Sequence, residues 1–182
     1  MKNEFKYKGK EVKIFDFAKI IKPEAFEIDD FSQVDDFVFL NSGLQTKIGK
    51  FVHISSFCSI IGGGKFTIGD FSGLSAGCRI ITGSDDFKGS YLSNPCVPSK
   101  YKNVQLGEVH IGRHCILGSN CVVLPDVSIP DGVTVGAGSI ISKNLDPWGI
   151  YVGYNPKKVG ERTPEGLLDL ETKLKKEFGI VS

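Results

Sequence analysis

Aliphatic residues recur at intervals of six positions over most of the chain. A period of six fits neither the 3.6-residue repeat of an α-helix nor the two-residue repeat of a β-strand with one buried face. It is typical of a parallel β-helix, in which each short strand directs one aliphatic side chain to the axis. We therefore predict an all-β solenoid with three flat faces. The fifteen positions that carry the repeat are Ile28, Val34, Leu40, Ile48, Ile54, Ile60, Ile68, Leu74, Ile80, Ile111, Leu117, Val123, Ile129, Val135 and Ile141.

The spacing of the repeats also predicts where the chain turns. Successive coils begin 20 residues apart at Ile28, Ile48 and Ile68, and 18 residues apart at Ile111 and Ile129, so extra residues are expected at corners. Glycine often follows the aliphatic residue, and we interpret this as a need for tight or left-handed backbone at the corners. These glycines are Gly49, Gly69, Gly112, Gly118 and Gly136.

We divide the chain into three parts. Residues 1–25 lack the repeat and are expected to form an N-terminal cap or an irregular first coil. Residues 26–162 form the β-helix, interrupted between Ile80 and Ile111 by a loop at 83–107, and uncommonly long loops are usually functional or disordered. Residues 163–182 are predicted to be a helix, with Thr163 as its N-cap and Pro164 at its first position.

Composition narrows the classes of partner and compartment. The 22 basic and 21 acidic residues nearly balance, which argues against a nucleic acid polymer or a membrane surface as partner. No apolar run approaches the roughly 20 residues that span a bilayer, and the first residues are charged, so we expect a cytoplasmic protein without membrane insertion. Four of the five cysteines precede a repeat aliphatic by two positions, where a thiol serves as a small apolar group.

Several segments resemble a known family. They are similar to the C-terminal half of left-handed β-helix acyltransferases. The segments are Val109 to Asn120, Pro125, Val135 to Ser139, and Tyr151 to Lys158. The resemblance covers about residues 26–162. It implies a left-handed parallel β-helix and a homotrimer that transfers an acyl group, most simply acetyl from acetyl-CoA, to an amine or hydroxyl.

The long loop gives a narrower resemblance. The loop is similar to that of N-acetyltransferases that act on nucleotide-linked 3-amino-3,6-dideoxyhexoses for surface polysaccharide such as lipopolysaccharide O-antigen. The residues that carry this similarity are Asp85-Asp86-Phe87, Asn94-Pro95, Pro98 and Tyr101-Lys102-Asn103-Val104. The resemblance implies an N-acetyltransferase, with a sugar O-acetyltransferase as the alternative. The chain lacks the loop histidine that is the base in the galactoside and maltose acetyltransferase branch, and Asp85 and Asp86 stand near that place.

Four residues are candidates for the chemistry. A neutral imidazole suits proton removal at cytoplasmic pH, and His53 precedes an inward residue, so its side chain should point outward. His114 lies two coils further along, about 10 Å from His53 at about 4.8 Å per coil. Asp85 and Asp86 could orient His53 or hold the sugar, or they could simply cap a turn. An amine that arrives deprotonated would need no dedicated base.

The coenzyme A site is expected near the end of the solenoid. Lys143, Lys157, Lys158 and Arg162 form a local excess of positive charge that could bind phosphates or could be a solvated basic turn, and Trp148 offers a surface for adenine. Small residues that would let a pantetheine arm lie along the coils are Gly118, Ser119, Gly136 and Ala137.

Two other functions remain open from the sequence. Trimeric zinc carbonic anhydrases resemble this architecture, and His53, His110 and His114 could supply three imidazole ligands, although we expect no metal. A non-catalytic scaffold is the other alternative. It would leave the long loop with its acidic start unexplained.

Overall fold

The computed structural model describes residues 4–180 and confirms the parallel β-helix. Three sheets of parallel strands, here called faces A, B and C, stack coil upon coil. Face A contains β1 (Tyr7–Lys8), β4 (Phe26–Ile28), β7 (Gln45–Ile48), β10 (Lys65–Ile68), β15 (Glu108–Ile111) and β18 (Ser128–Ile129). Face B contains β2 (Lys13–Ile14), β5 (Gln33–Val34), β8 (His53–Ile54), β11 (Gly73–Leu74), β16 (Ile116–Leu117), β19 (Thr134–Val135), β21 (Gly149–Val152) and the antiparallel β22 (Lys157–Glu161). Face C contains β3 (Lys19–Ile21), β6 (Phe39–Asn41), β9 (Ser59–Ile61), β12 (Arg79–Ile81), β17 (Val122–Val123) and β20 (Ile140–Ile141).

The core is a set of aliphatic columns along the solenoid axis. Val34 pairs with Ile54, Ile54 with Leu74, and Leu74 with Leu117, so equivalent repeat positions stack directly. All fifteen repeat positions are at most 3% exposed. The six-residue period therefore identified the inward side chains correctly.

The corner glycines have a different role from the predicted one. Left-handed backbone at the corners is carried mainly by other residues, such as Phe31, Phe51 and Phe57, with φ of 61°, 54° and 64°. Gly49 and Gly112 have ordinary backbone conformations and are required because neighbouring coils approach closely. A Cβ at Gly112 would lie 2.6 Å from the backbone nitrogen of the next coil.

The N-terminal segment joins the solenoid. Strands β1, β2 and β3 pair with β4, β5 and β6, so residues 7–21 make a complete first coil, with Ile14 and Ile20 packed against the core. A 3₁₀ turn at Pro23–Ala25 leads to the next coil.

The long loop leaves between faces C and A. Its base is an antiparallel pair, β13 (Gly83–Ser84) with β14 (Gln105–Leu106), and a 3₁₀ turn spans Ser99–Tyr101.

Helix α1 (Glu165–Glu177) follows the last strands. Pro164, not the predicted Thr163, occupies the N-cap position, and no side chain caps the helix there. Gly179, with φ of 62°, ends the helix. No helix within residues 4–180 is long and apolar enough to cross a membrane.

Candidate active site

His53 lies on face B and carries a carboxylate partner. Its side chain is about half exposed, as the strand alternation predicted, and its Nε2 lies 2.9 Å from Asp35 Oδ2. Gln33 donates to the other oxygen, Asp35 Oδ1, at 2.7 Å. The carboxylate is therefore held by two side chains on adjacent coils and fixes the orientation of the imidazole.

This arrangement determines which ring nitrogen of His53 is available for proton transfer. Burial of Asp35 opposes ionisation, yet the hydrogen bonds from Gln33 and His53 prevail and lower the pKa of Asp35 below its ordinary value. An ionised carboxylate accepts hydrogen bonds only, so the neutral imidazole keeps its hydrogen on Nε2. The lone pair on Nδ1 is then available to accept a proton.

The next coil leaves the surface beside the His53 imidazole uncovered. Gly73 pairs with His53, and it has no side chain to cover the imidazole. Among residues 4–180, apart from the two chain neighbours of Gly73, a Cβ at that position would approach just the His53 carbonyl oxygen within 4 Å, at 3.9 Å. Ile116 borders this notch on the following coil and is exposed.

Asp85 and Asp86 are bonded within the long loop. Asp86 accepts hydrogen bonds from the backbone nitrogens of Lys88, Ser90 and Tyr91 at 2.6 to 2.8 Å, and these bonds lower its pKa. Asp85 Oδ2 accepts from the Asn94 backbone nitrogen at 3.1 Å. The turn-capping interpretation therefore describes their contacts within the protomer.

The loop also covers a cavity. It has a volume of about 310 Å³ and is lined by Asp85, Ser84, Asn41 and Lys102 among others.

Because the loop leaves between faces C and A, the structure does not bring Asp85 or Asp86 to His53 within one protomer. The carboxylate that orients His53 is Asp35.

His114 is packed against helix α1. It is 5% exposed, and its Nε2 lies 2.7 Å from Glu171 Oε2. Arg113 and Lys175 also bind Glu171, the latter at 2.7 Å. These contacts place His114 in a partly buried cluster of ionisable side chains that fastens helix α1 to the solenoid.

Trp148 belongs to the same corner as His114. The aromatic rings there form the A–B column, in which Phe31, Phe51, Phe71 and His114 stack on successive coils. Trp148 continues it, with its ring centroid 6.3 Å from that of His114. The structure thus places Trp148 in this column, whereas Lys143 and Lys157 line a cavity at the end of the solenoid.

Two of the three predicted lysines share a cavity at the end of the solenoid. Lys143 and Lys157 line a space of about 300 Å³ together with Leu145 and Pro156. Lys158 instead contacts Glu161 at 2.8 Å, and that hydrogen bond raises the pKa of this exposed lysine. A cavity with apolar walls and two ammonium groups is chemically suited to a phosphate-bearing ligand.

The predicted small residues are adjacent at the corner between faces B and C. Gly118 and Ser119 lie on one coil, and Gly136 and Ala137 lie on the next. A Cβ at Gly118 would lie 2.9 Å from the Ala137 Cα, so this glycine is also required by close approach of the coils. The corner presents a low ridge along which an extended chain could lie.

The three histidines of the zinc hypothesis are separated in the protomer. His53 lies on face B, His110 on face A with its Nδ1 2.7 Å from Thr67 Oγ1, and His114 at the A–B corner. Residues 4–180 contain no group of three or more His, Cys, Asp or Glu side chains arranged to hold a metal ion.

The two carboxylates that bind the candidate histidines, Asp35 for His53 and Glu171 for His114, were not predicted from the sequence. Asp35 precedes His53 by 18 residues, so the coil length could have placed it on the adjacent coil. Glu171 could not be assigned in this way, because the repeat contains no information on where a terminal helix docks.

Comparison with known proteins agrees with this architecture. Residues 102–143 match the bacterial transferase hexapeptide (six repeats) family. The chain is 37% identical over 172 residues to the dTDP-4-amino-4,6-dideoxy-D-glucose acyltransferase of Escherichia coli, covering 94% of this chain and 89% of that protein. A maltose O-acetyltransferase from Clostridium difficile, 18% identical with a TM-score of 0.62, covers 87% of this chain and 71% of that chain and shares the fold.

A second relative has been crystallised with ligands. AntD, an N-acyltransferase from Bacillus cereus, is 35% identical with a TM-score of 0.87 in its complex with dTDP and 3-hydroxybutyryl-CoA, and the match covers 96% of this chain and 92% of AntD. A variant of AntD is known in complex with dTDP-4-amino-4,6-dideoxyglucose and coenzyme A. The chain therefore belongs to the hexapeptide-repeat acyltransferase family that contains these two enzymes.

Proposed function

We propose that the protein transfers an acyl group from coenzyme A to the amino group of a dTDP-linked 4-amino-4,6-dideoxy sugar. The observation that carries the proposal is similarity over nearly the whole chain to an acyltransferase named for that acceptor. The loop resemblance pointed to the 3-amino isomers, whereas both relatives are associated with the 4-amino isomer, so C4 is the ring position we propose. Acetyl is the proposed acyl group, and 3-hydroxybutyryl is the alternative suggested by AntD.

The proposed reaction is direct and leaves no covalent enzyme intermediate. The sugar nitrogen attacks the thioester carbonyl, the carbon–sulfur bond breaks, and coenzyme A leaves as the thiol once a proton from the nitrogen has reached its sulfur. We propose that His53 Nδ1 takes that proton first and Asp35 stabilises the resulting imidazolium. Asp85 and Asp86 are proposed to hold the sugar, and no step requires a metal.

Coenzyme A is proposed to bind at the C-terminal coils. Lys143 and Lys157 would contact its phosphates in their shared cavity, and the pantetheine arm would lie along the small residues of the B–C corner. This path runs along the solenoid toward the coil that carries His53.

The assembly and compartment complete the proposal. We propose a homotrimer in which the long loop of one copy reaches His53 of another, because Asp85 and His53 do not meet within one protomer. A cytoplasmic location fits the four buried free thiols, which a reducing compartment preserves. The product would enter surface polysaccharide, such as the O-antigen of lipopolysaccharide.

The test is release of free thiol from acyl-CoA in the presence of a defined acceptor. Acetyl-CoA and 3-hydroxybutyryl-CoA are each paired with dTDP-4-amino-4,6-dideoxyglucose, and the matched control acceptor carries a hydroxyl at C4. We expect thiol release with the amine only. Release with the hydroxyl acceptor alone would favour O-acylation, and release with neither would contradict the proposal.

The proposed roles of His53 and Asp85 have a direct test in the same assay. His53→Asn and Asp85→Asn should each lower turnover at least about tenfold, or about 1.4 kcal/mol of transition-state stabilisation. An unchanged rate in either variant would assign that residue to structure alone.

A further inference from the structure

An apolar cavity lies between helix α1 and face B. Its volume is about 220 Å³. Two of its lining residues, Ile116 and Leu170, are large apolar side chains that are 48% and 62% exposed. Exposed apolar side chains that border one space suggest that a ligand or a partner covers them. The apolar lining residues are Phe71, Ile116, Leu167, Leu170 and Leu174.

The polar side chains of the cavity wall make bonds within the protomer. Glu171 lies 2.7 Å from His114 Nε2 and 2.7 Å from Lys175 Nζ. Arg162 Nη1 donates to the carbonyl oxygens of His114 and Gly132, at 2.6 and 2.7 Å. A polar ligand would have to replace such bonds, whereas an apolar ligand only has to meet the aliphatic and aromatic walls. The cavity therefore suits an apolar group.

The cavity lies beside the row of face B that carries His53. His53, Gly73 and Ile116 occupy equivalent positions on three successive coils. Gly73 stands between two lining residues of the cavity, because Phe71 precedes it by two positions and Ile116 pairs with it on the next coil. The edge of the cavity is therefore about one coil, or about 4.8 Å, from the strand that carries His53.

Gly73 leaves a passage between His53 and the cavity within the protomer. A side chain at this position would stand between the imidazole and Ile116. Carbon–carbon bonds of about 1.5 Å advance an extended chain by about 1.3 Å each. From a thioester carbonyl beside His53, an acetyl group therefore stays next to the imidazole. By the same bond lengths, a butyryl group extends about 4 Å across Gly73, and a hexanoyl group extends about 6.5 Å into the cavity.

We propose that this cavity binds the acyl tail of the donor and that Ile116 limits the chain length that the protein accepts. The inference rests on the proposed function, in which the thioester carbonyl lies beside His53. It extends the donors from acetyl-CoA to acyl-CoA with unbranched acyl groups of four to six carbons. The pantetheine arm would reach face B from the B–C corner, and the acyl tail would leave it toward helix α1.

The chain-length preference of Ile116 variants tests the cavity. Thiol release with dTDP-4-amino-4,6-dideoxyglucose is measured for acetyl-, butyryl- and hexanoyl-CoA. In the wild-type protein, kcat/KM for butyryl-CoA should equal or exceed that for acetyl-CoA, because the added CH₂ groups leave water. Ile116→Phe places a larger side chain at the cavity. It should lower kcat/KM at least about tenfold for butyryl- and hexanoyl-CoA, the effect of about one misplaced methylene in an apolar pocket, and less than about twofold for acetyl-CoA.

Two more variants guard against a loss of activity through misfolding. Ile116→Ala widens the cavity and should raise kcat/KM for hexanoyl-CoA relative to acetyl-CoA, which is the opposite direction to Ile116→Phe. Leu168→Phe is the matched control, because Leu168 is an exposed residue of helix α1 that lies outside the cavity wall, and it should leave the preference unchanged. A similar change for all three donors in Ile116→Phe, or a wild-type kcat/KM for butyryl-CoA at least about tenfold below that for acetyl-CoA, would overturn the inference.

Calorimetry of donor binding separates this inference from the proposed function, because it needs no acceptor. If no sugar is acylated but butyryl-CoA binds more tightly than acetyl-CoA and loses that advantage in Ile116→Phe, the acyl site stands and the proposed reaction fails. If the sugar is acylated but wild type and Ile116→Phe show the same relative affinity for the two donors, the acyl site is wrong. If Ile116→Phe changes the oligomeric mass by light scattering and weakens all donors equally, the cavity belongs to a contact between copies, which also overturns the inference.

Discussion

Replacement of Asp35 by Asn tests the site with very little change of shape. The wild-type carboxylate accepts from Gln33 at Oδ1 and from His53 Nε2 at Oδ2. In Asp35→Asn, the remaining oxygen is needed by the Gln33 amide, so the new NH₂ group faces the imidazole. Nε2 must then accept, and the hydrogen moves to Nδ1, where the lone pair was available for the substrate.

The size of the effect follows from the charge and the exposure of the pair. A hydrogen bond to a charged group contributes about 1.5–3 kcal/mol, but the His53 side chain is 51% exposed and solvent screens the interaction. We therefore expect a loss near the lower end, about 1.4 kcal/mol, which is a tenfold fall in kcat. KM for both substrates should stay within about twofold, because binding groups are untouched.

The assay is steady-state thiol release, with two controls. Asp36→Asn changes the neighbouring carboxylate, which accepts from the Phe17 backbone nitrogen at 2.9 Å and does not bind His53, so it should keep full activity. In a His53→Asn background, Asp35→Asn should add little, because both changes act through one imidazole. Equal kcat values for Asp35→Asn and Asp36→Asn, or simply additive losses in the Asp35→Asn/His53→Asn double variant, would refute this role of Asp35.

Three further predictions concern stability and donor binding. Glu171→Gln should lower the free energy of unfolding by about 1.5–3 kcal/mol in urea at pH 7, whereas exposed Glu177→Gln should change it little. Burial of Glu171 opposes its ionisation, but hydrogen bonds from Lys175 and His114 prevail and lower its pKa. The stabilisation by the Glu171 carboxylate is therefore complete above about pH 4.3 and disappears as the pH falls through the lowered folded pKa. A difference in unfolding free energy between wild type and Glu171→Gln that grows on acidification would contradict this. Gly112→Ala should cost about 1–3 kcal/mol by crowding the next coil, whereas Gly166→Ala, which meets open space in helix α1, should add up to about 1 kcal/mol. Lys157→Ala should raise KM for acyl-CoA at least about threefold by losing one phosphate contact, with KM for the sugar unchanged, and an unaltered KM for acyl-CoA would move that site elsewhere.

The sequence predicts the fold in detail because each repeat position carries a side chain that packs in the core. Each inward aliphatic residue must meet its counterpart one coil away, as Ile54 meets Val34 and Leu74. We also predicted tight or left-handed backbone at the corner glycines, and the left-handed conformation is not found there, although the coils do approach closely. Phenylalanine accepts that conformation because its ring stacks on the coil below, and this compensation depends on contacts between coils rather than on local preference.

The candidate site was less accessible from sequence. The outward direction of His53 follows from alternation, and this prediction holds. The burial of His114 under helix α1 depends on Glu171, and the helix could have docked on another face with the same apolar stripe. Asp35 was recoverable from the coil length, but only once the sequence was laid out coil by coil.

The chemical identity of the product tests the central claim most directly. Purified protein, acetyl-CoA and dTDP-4-amino-4,6-dideoxyglucose are incubated, and the nucleotide sugar is isolated for mass spectrometry and NMR. We predict one added acetyl group per sugar, joined through an amide to the nitrogen at C4. A nucleotide sugar recovered unchanged, or one acetylated on a hydroxyl oxygen with the amine still free, would contradict the account.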